Sequence, residues 1–163
     1  MGEPLRVFIS YSPKDAALKA ELVEQLKVLE RFHNVDVWSD DRIAPGANWR
    51  EEIDTAMASS DVALLLVSAP FLSSKFINDT EIPELLKRYA AAGLVVIPVV
   101  LSDCLWQHHP ALEPFQVLPK DATAISGYKG NKKAKALAEV ANAIAAMAKK
   151  RAAVAGKSPA LNP

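Results

Sequence analysis

The segment VALLLVS at residues 62–68 is the starting point for predicting the fold. It is apolar at every position before the serine and shows no alternation with polar side chains, which is typical of a strand covered on both faces. Further strand-like runs are LRVFIS at 5–10, VDVW at 35–38 and LVVIPVVL at 94–101. Segments with the helical spacing of apolar residues lie between these runs, and this alternation predicts a parallel sheet with helices on both faces.

Helix signals between the strands complete the fold prediction. Ser12 is suited to cap the start of one helix, and Pro83 marks the first turn of another, predicted from about residue 82 to 92. An alanine-rich helix is predicted from about residue 131, and TAIS at 123–126 is the candidate for a short last strand. The predicted fold class is therefore α/β, a flavodoxin-like three-layer sandwich with a central parallel sheet of about five strands.

Composition narrows the class of protein. The 163 residues suit one domain, predicted at residues 1–150, followed by a flexible tail or the start of a linker at 151–163. Nineteen basic and nineteen acidic residues cancel, so no charged surface is expected to recruit nucleic acid or a membrane. The single Cys104 cannot form an internal disulfide and no targeting or spanning segment is recognised, so we expect a cytoplasmic protein.

Several common functional motifs are absent from the sequence. There is no Walker A loop, no glycine-rich dinucleotide fingerprint and no cysteine pair with zinc spacing. A phosphoacceptor receiver domain needs an acidic pair after its first strand and an aspartate ending its third, but Ser10-Tyr11 and Val67-Ser68 stand there. His108 and His109 lack a neighbouring acid or thiolate cluster, so we interpret them as loop residues and predict no metal site.

The predicted topology places a ligand pocket beyond the carboxyl ends of the strands. That rule singles out Ser10-Tyr11, Ser39 to Asp41, Ser68 to Phe71 and the loop after Leu101. Asp40 and Asp41 could bind a cation or a ribose, or could form a solvated turn. Trp38 either packs in the core or offers a ring on which a base can stack. Phe71 and Phe76 could wall the pocket, although core packing is the alternative for one of them.

The segment FINDTEIPELLKR at residues 76–88 contains two glutamates on either side of a proline. Glu84 follows Pro83 directly and is expected in the first helical turn, where an acid gains from the helix dipole. Ile82 is expected in extended geometry because it precedes the proline, which places Glu81 at the junction of loop and helix, facing the predicted pocket. Glu81 is the stronger chemical candidate, and a helix-end acid without chemistry is the alternative.

Three segments, in this order and at this spacing, resemble a TIR (Toll/interleukin-1 receptor homology) domain of the bacterial kind. They are VFISYSPKD at the first strand, VDVWSDDRIAPGANWREEI around the second and SSDVALLLVSAPFLSSKFINDTEI from the third onward. The second segment resembles the family's strand, its mobile BB loop with a Pro-Gly pair, and the helix that follows. The resemblance covers about residues 5–126, which is nearly all of the predicted domain.

The resemblance implies two uses. Many bacterial and plant TIR domains cleave NAD+ at the nicotinamide–ribose bond, which would make this chain an NAD+ glycohydrolase or ADP-ribosyl cyclase with a linear or cyclic product. NAD+ is then the substrate, and no separate cofactor is expected. Such enzymes often act as bacterial immune or virulence effectors and are activated by self-association, here through a BB loop at Asp40 to Gly46. Other TIR domains only pair with TIR partners as adaptors in signalling assemblies.

The resemblance also implies roles for individual residues. The catalytic glutamate maps to Glu81, with Glu84 as the alternative if the register is off by one turn. Trp38 matches the position that stacks against the nicotinamide or base, and Ile77 stands where enzymatic members often carry a tryptophan. The other residues predicted to contact the nucleotide are Ser10, Tyr11, Asp40, Ile43, Ser68 and Phe71.

A third and more distant interpretation is an enzyme similar to nucleoside deoxyribosyltransferases. That family has a similar sheet and also uses a glutamate at a ribosyl bond. The Pro45-Gly46 loop after VDVWSDD argues against this interpretation.

Overall fold

Four parallel strands form the central sheet of the computed structural model, which describes residues 2–156. The strands are β1 (Leu5–Ser10), β2 (Val35–Trp38), β3 (Val62–Val67) and β4 (Val95–Val100). Their spatial order is β2-β1-β3-β4, so the chain runs outward from β1 to β2 and then crosses to the other side of β1. The carboxyl ends of β1 and β3 therefore form the point where the strand order reverses, which is where open α/β sheets bind ligands.

Helices cover both faces of this sheet. In the described part of the chain they are α1 (Ala16–Phe32), α2 (Trp49–Ser59), α3 (Ala69–Ser73), α4 (Ile82–Ala92) and α5 (Asn131–Gly156). Helices α1 and α5 pack on one face, and α2, α3 and α4 pack on the other. The predicted three-layer α/β fold is therefore confirmed.

Strand β3 explains why both faces must be covered. Every residue from 62 to 67 is at most 1% exposed. Leu64 faces the apolar cluster formed with α1 and α5, whereas Leu65 faces the cluster formed with α2 and α4. Because neighbouring side chains of a strand point to opposite faces, a continuous apolar run is buried completely only between two helical layers.

The prediction of about five strands is wrong for the described residues, because the sheet there has four. The segment TAIS at 123–126 does not pair as a strand, and Ile125 begins a 3-10 turn instead. At the outer edge of β4, Leu118 forms an isolated parallel bridge with Val99. A bridge of one residue pair is too short to count as a strand.

Pro98 lies in β4 at the edge of the sheet, as its missing amide hydrogen suggests. Val95 and Leu101 donate their amides to Asp61 and Val67 on the β3 side. Amides alternate between the two sides of a strand, so the nitrogen of Pro98 points to the outer edge. The proline therefore removes no hydrogen bond between β3 and β4.

The turn that carries Glu81 differs from the prediction. Ile82 is helical rather than extended, with φ −59° and ψ −48°, and a π-helical turn at Ile77–Glu81 runs directly into α4. The amide of Ile82 donates to the carbonyl of Ile77, which is the wider spacing of a π-helix. Pro83 lies in the first turn of α4, a position at which proline is tolerated in helices. The predicted bounds of α4 agree with the structure.

Helix α5 extends past the predicted domain boundary at residue 150. It continues to Gly156, and Arg151 forms an ion pair with Asp61 at 3.2 Å. Asp61 also accepts the backbone N–H of Arg6 at 2.9 Å, so one carboxylate ties the helix to β1. The first part of the expected tail at 151–163 is thus helical, and residues 157–163 lie outside the described residues.

The packing of α5 can be tested at Ile144, which is fully buried against the sheet. We expect Ile144→Ala to lower the free energy of unfolding by about 2–5 kcal/mol through lost contacts and a residual cavity. Val154, which is 66% exposed on the same helix, provides the control. Val154→Ala should change the value by less than about 0.5 kcal/mol. Urea denaturation followed by circular dichroism measures both, and equal losses would contradict the packing described here.

Candidate active site

A buried hydrogen bond joins two segments at the point where the strand order reverses. Ser10, the last residue of β1, donates from Oγ to Oε1 of Glu81 at 2.9 Å. Glu81 ends the π-helical turn that follows β3 and α3. Ser10 is 1% exposed and Glu81 is 6% exposed, so the bond is shielded from water.

Burial changes the acidity of Glu81. Loss of hydration penalises the charged form and raises the pKa of Glu81 from 4.5 to about 7. The hydrogen bond from Ser10 lowers this pKa, and the negative charge of Asp40 raises it, but burial is the largest cause. A carboxyl group poised between its two protonation states near neutral pH is typical of a functional site.

Glu81 lies in the wall of a cavity of about 280 Å³ at this edge of the sheet. The cavity is lined by Ile9, Tyr11, Pro13, Trp38, Asp40, Trp49, Ile53, Ser74, Phe76, Ile77 and Glu81. Aromatic rings and two carboxylates dominate this lining, and it includes no lysine or arginine of the described residues. Such a surface favours a flat, positively charged or neutral group over an anion.

Trp38 belongs to the core and to the cavity wall at once. Its ring stacks on Phe8 with centroids 5.3 Å apart and an interplanar angle of 8°. Phe8 is 1% exposed, so it provides a rigid support beneath the tryptophan. The core position of Trp38 is therefore confirmed in part, and its role as a ring on which a base can stack stays a prediction.

Trp49 and Phe76 complete the aromatic wall. Their ring centroids are 4.8 Å apart with an angle of 47° between the planes. Sequence analysis missed Trp49, because its helical spacing with Ile53 is typical of a core-facing position. Trp49 is the first residue of α2 and is 48% exposed, and only its position after the loop from β2 could have indicated the cavity.

Tyr11 and Asp40 form a second polar pair in the wall. The hydroxyl of Tyr11 donates to Oδ1 of Asp40 at 2.7 Å. Burial, followed by the hydrogen bond to Asp40, raises the pKa of Tyr11 well above its usual range. The phenol therefore stays protonated and holds the Asp40 carboxylate in one orientation.

The loop from Asp40 to Gly46 begins at this pair. Its first residues form a 3-10 turn at Asp40–Arg42, and Arg42 donates to the carbonyl of Val37 at 2.8 Å. Its tip is exposed, and Gly46 has a φ of +86°, which a residue with a side chain rarely adopts. The loop thus has an anchored base and a solvent-facing tip.

Some of the predicted site residues lie outside the cavity. Ser68 is fully buried, accepts the N–H of Phe71 at 3.2 Å at the start of α3, and donates to Asp15. Phe71 is also fully buried, and Ile43 packs against the same apolar cluster. Ser10 reaches the cavity only through Glu81. Helix α3 begins directly after Ser68, and the side chains of Ser68 and Phe71 are buried in the protein interior. These two residues therefore support the site and do not line the cavity.

The structure separates the two glutamates. Glu84 lies in the first turn of α4, with its side chain 48% exposed and 3.9 Å from the ammonium of Lys87. It does not line the cavity, whereas Glu81 does. The cavity therefore brings together Tyr11, Trp38, Asp40, Ile77 and Glu81 from the predicted set.

Residues 2–156 contain neither a candidate metal site nor a helix suited to cross a membrane. No group of three or more histidine, cysteine, aspartate or glutamate side chains there is arranged to hold a metal ion. The ring of His109 lies 2.8 Å from the side-chain oxygen of Asn78 instead. No helix in this part of the chain has both the length and the apolar character needed to cross a membrane.

The fold and site define a parallel α/β domain with a cavity at its switch point, bordered by an exposed loop after the second strand. The family model described as TIR domain matches residues 7–151, and the chain belongs to the TIR domain family. An uncharacterized protein, y4lF, of Sinorhizobium fredii (strain NBRC 101917 / NGR234) is 33% identical over 96% of this chain and 50% of its own length. The chain thus spans about half the length of this relative.

Solved structures share the fold at low sequence identity. The TIR domain of the Toll-related receptor TRR-2 from Hydra magnipapillata is 20% identical, with a TM-score of 0.51 over 71% of this chain and 86% of that chain. The TIR domains of the activated Roq1 resistosome, which directly recognizes the pathogen effector XopQ, are 21% identical, with a TM-score of 0.52 over 85% and 84%. These similarities support the fold assignment.

The raised pKa of Glu81 predicts a pH-dependent effect on stability. The folded state holds a proton between pH 4.5 and about 7 that the unfolded state has lost, so stability falls as pH rises through this window. Glu81→Gln removes this dependence. We expect the variant to gain on the order of 3 kcal/mol relative to the wild type between pH 4 and pH 8.

Urea denaturation at several pH values measures this difference. Glu84→Gln is the matched control, since Glu84 is half-exposed, and its difference from the wild type should stay nearly constant. A Glu81→Gln curve parallel to that of the wild type would show that Glu81 titrates as an ordinary exposed carboxyl group.

Proposed function

We propose that this chain is an NAD+ glycohydrolase or ADP-ribosyl cyclase that cleaves the bond between nicotinamide and ribose. The observation that carries the proposal is the buried carboxyl group of Glu81 in the wall of an aromatic cavity. Membership in the TIR domain family, which includes enzymes of this kind, supports the same conclusion. NAD+ is the substrate in this proposal, and no separate cofactor takes part.

The charge of the substrate suits the cavity. The nicotinamide ring of NAD+ is a flat cation, and the aromatic rings of Trp38, Trp49 and Phe76 offer faces on which such a ring can lie. The carboxylates of Asp40 and Glu81 add attraction for a positive charge. The cavity, about 280 Å³, is near the lower end of ligand pockets, roughly 300–1,000 Å³, so it would hold the nicotinamide–ribose end rather than the whole dinucleotide.

A single carboxylate is sufficient for the reaction. When the bond between the ribose carbon and the ring nitrogen breaks, the electron pair stays with the nitrogen and neutralises the pyridinium, so the leaving group needs no proton. The ribosyl carbon becomes positively charged, as in glycoside hydrolysis, and an ionised Glu81 would stabilise that charge. Capture by water gives ADP-ribose and a proton, and capture by the adenine ring gives a cyclic product.

The other polar residues would prepare Glu81 for this role. The hydroxyl of Ser10 fixes one carboxylate oxygen and leaves the other oxygen of Glu81 free of that bond. The charge of Asp40 opposes ionisation of Glu81, and a cation bound between them would remove that penalty. Binding of the substrate would thus help to generate the ionised form that the reaction needs.

The proposed activity should depend on pH through Glu81. We expect kcat/KM to rise with pH through about 7 and to fall about tenfold per pH unit below it, because the carboxylate is the active form. Asp40→Asn should move this limb to lower pH, since it removes a negative charge that raises the pKa of Glu81. Rate profiles between pH 4 and 9 test both points, and a limb near pH 4.5 in the wild type would contradict the assignment.

The principal experiment compares two glutamate variants. Purified protein at high concentration with a crowding agent is incubated with NAD+, and nicotinamide is quantified by chromatography. We expect Glu81→Gln to reduce release by at least about 100-fold, since it removes the charge that stabilises the transition state. Glu84→Gln, three residues along the chain and half-exposed, should retain activity. Circular dichroism checks that both variants are folded.

Three outcomes of this experiment would overturn parts of the proposal. Release of nicotinamide that survives Glu81→Gln but is lost in Glu84→Gln would show that Glu84, and not Glu81, is the catalytic glutamate. Release from both variants at the wild-type rate would exclude a catalytic glutamate in this segment. Absence of release from the wild type, at concentrations where light scattering shows self-association, would contradict the enzymatic function.

Self-association through the loop from Asp40 to Gly46 is the second part of the proposal. The exposed tip of the loop supports it, as does the direct contact between the base of the loop and the cavity at Asp40. Membership in the TIR domain family supports a role in a bacterial immune or virulence response, and the lone Cys104 suits the reducing cytoplasm. The same exposed loop would also suit a non-catalytic module that binds other TIR domains, which is the alternative if NAD+ is not cleaved.

A further inference from the structure

A buried lysine lies behind the cavity wall without lining it. Lys19 is in the first turns of α1 and is only 5% exposed, although it is a charged residue. Its ammonium lies 3.0 Å from Oδ2 of Asp41 and 4.8 Å from the centroid of the Tyr11 ring. Lysine is rarely buried unless it has a partner, so the position of Lys19 calls for an explanation.

Both contacts of Lys19 lead to the 3-10 turn at Asp40–Arg42. Asp41 lies in the 3-10 turn at Asp40–Arg42 and also accepts a hydrogen bond from Ser39. Tyr11, over whose ring the ammonium lies, donates to Asp40 in the same turn. Lys19 therefore contacts this turn directly at Asp41. It also reaches Asp40 indirectly, because Tyr11 lies between them.

We propose that Lys19 is a positioning residue that holds Tyr11 and the turn at Asp40–Arg42 in place, and thereby fixes the part of the cavity wall that Tyr11 and Asp40 form. Lys19 is not among the residues that line the cavity. Its effect on NAD+ cleavage rests on the function proposed above, whereas its effect on the turn does not.

Lys19 is much more buried than its partner Asp41, and this difference favours keeping the ion pair formed. The side chain of Lys19 is 6% exposed, whereas that of Asp41 is 65% exposed. A buried ammonium that loses its partner carries a large desolvation penalty, so the pair stays formed while the turn is in place. The hydrogen bond from Ser39, followed by that from Lys19, lowers the pKa of Asp41, so the aspartate is charged throughout the neutral range.

The same difference in burial identifies the cleaner variant. Lys19→Met keeps an unbranched side chain to fill the buried space and leaves an Asp41 that water can solvate. Asp41→Asn instead leaves the buried ammonium without its counter-charge, and should therefore destabilise the fold more than Lys19→Met. Lys27, which pairs with the exposed Glu24 on the same helix at 2.9 Å, provides the matched control Lys27→Met.

The first measurement follows the turn itself and needs no activity. The amides of Arg42 and Ile43 donate to Ser39 and Asp40 at 3.0 and 3.1 Å, so their exchange with water reports whether the turn is closed. We expect solvent-exchange NMR to show faster exchange at both amides in Lys19→Met and no change in Lys27→Met. Unchanged exchange in Lys19→Met would overturn the proposal, whether or not the protein cleaves NAD+.

The second measurement links the turn to catalysis. We expect Lys19→Met to lower kcat/KM for NAD+ at least about tenfold, because the cavity wall is no longer held in one position. Lys19→Arg should restore most of the loss, since a guanidinium can also pair with Asp41 and lie over the Tyr11 ring. Asp41→Asn should add little in the Lys19→Met background, because both substitutions break one interaction.

The outcomes separate this inference from the function on which it rests. Additive losses in the double variant, or failure of Lys19→Arg to restore activity, would show that Lys19 does not act through Asp41. Faster exchange of the Arg42 and Ile43 amides in Lys19→Met, with unchanged kcat/KM, would show that Lys19 stabilises the turn but does not affect the reaction. No nicotinamide release from the wild type would contradict the proposed function alone, and the exchange measurement would still decide whether Lys19 holds the turn.

Discussion

The site depends on the burial of the Glu81 carboxyl group against the end of β1. The hydrogen bond from Ser10 offsets part of the desolvation penalty, and the remainder appears as a pKa raised to about 7. The π-helical turn at Ile77–Glu81 makes the contact possible because it carries Glu81 inward before the proline of α4. The strand order β2-β1-β3-β4 then places this turn next to Ser10 although the two residues are far apart in sequence.

The charges around the cavity are arranged to favour a cation. Asp40 and Glu81 line the same cavity, and the negative charge of Asp40 raises the pKa of Glu81. The positive charge of Lys19 lies behind the wall and is paired with Asp41. It therefore orders the wall without neutralising the carboxylates inside the cavity. Under the proposed function, this separation of a structural charge from the binding charges would leave Asp40 and Glu81 free to attract the nicotinamide end of NAD+.

Much of the fold and part of the candidate site could be predicted from sequence. The apolar run at 62–67 required a sheet covered on both faces, and the rule for strand ends brought Tyr11 and Asp40 to one edge. Sequence could not predict the helical state of Ile82, because a residue before proline prefers extended geometry and only tertiary packing reverses this preference. It also missed Trp49 in the cavity wall, since helical periodicity does not show where the end of a helix meets a loop.

The measurement that tests the account most directly is a carbon-13 NMR titration of the Glu81 carboxyl carbon, with and without 1-methylnicotinamide. This compound carries the nicotinamide cation but has no ribosyl bond to cleave, and Glu81→Gln identifies the signal. We expect a midpoint near pH 7 in the free protein and a lower midpoint when the cation is bound, because a positive charge favours the carboxylate. A midpoint near pH 4.5 that does not respond to the cation would contradict this expectation.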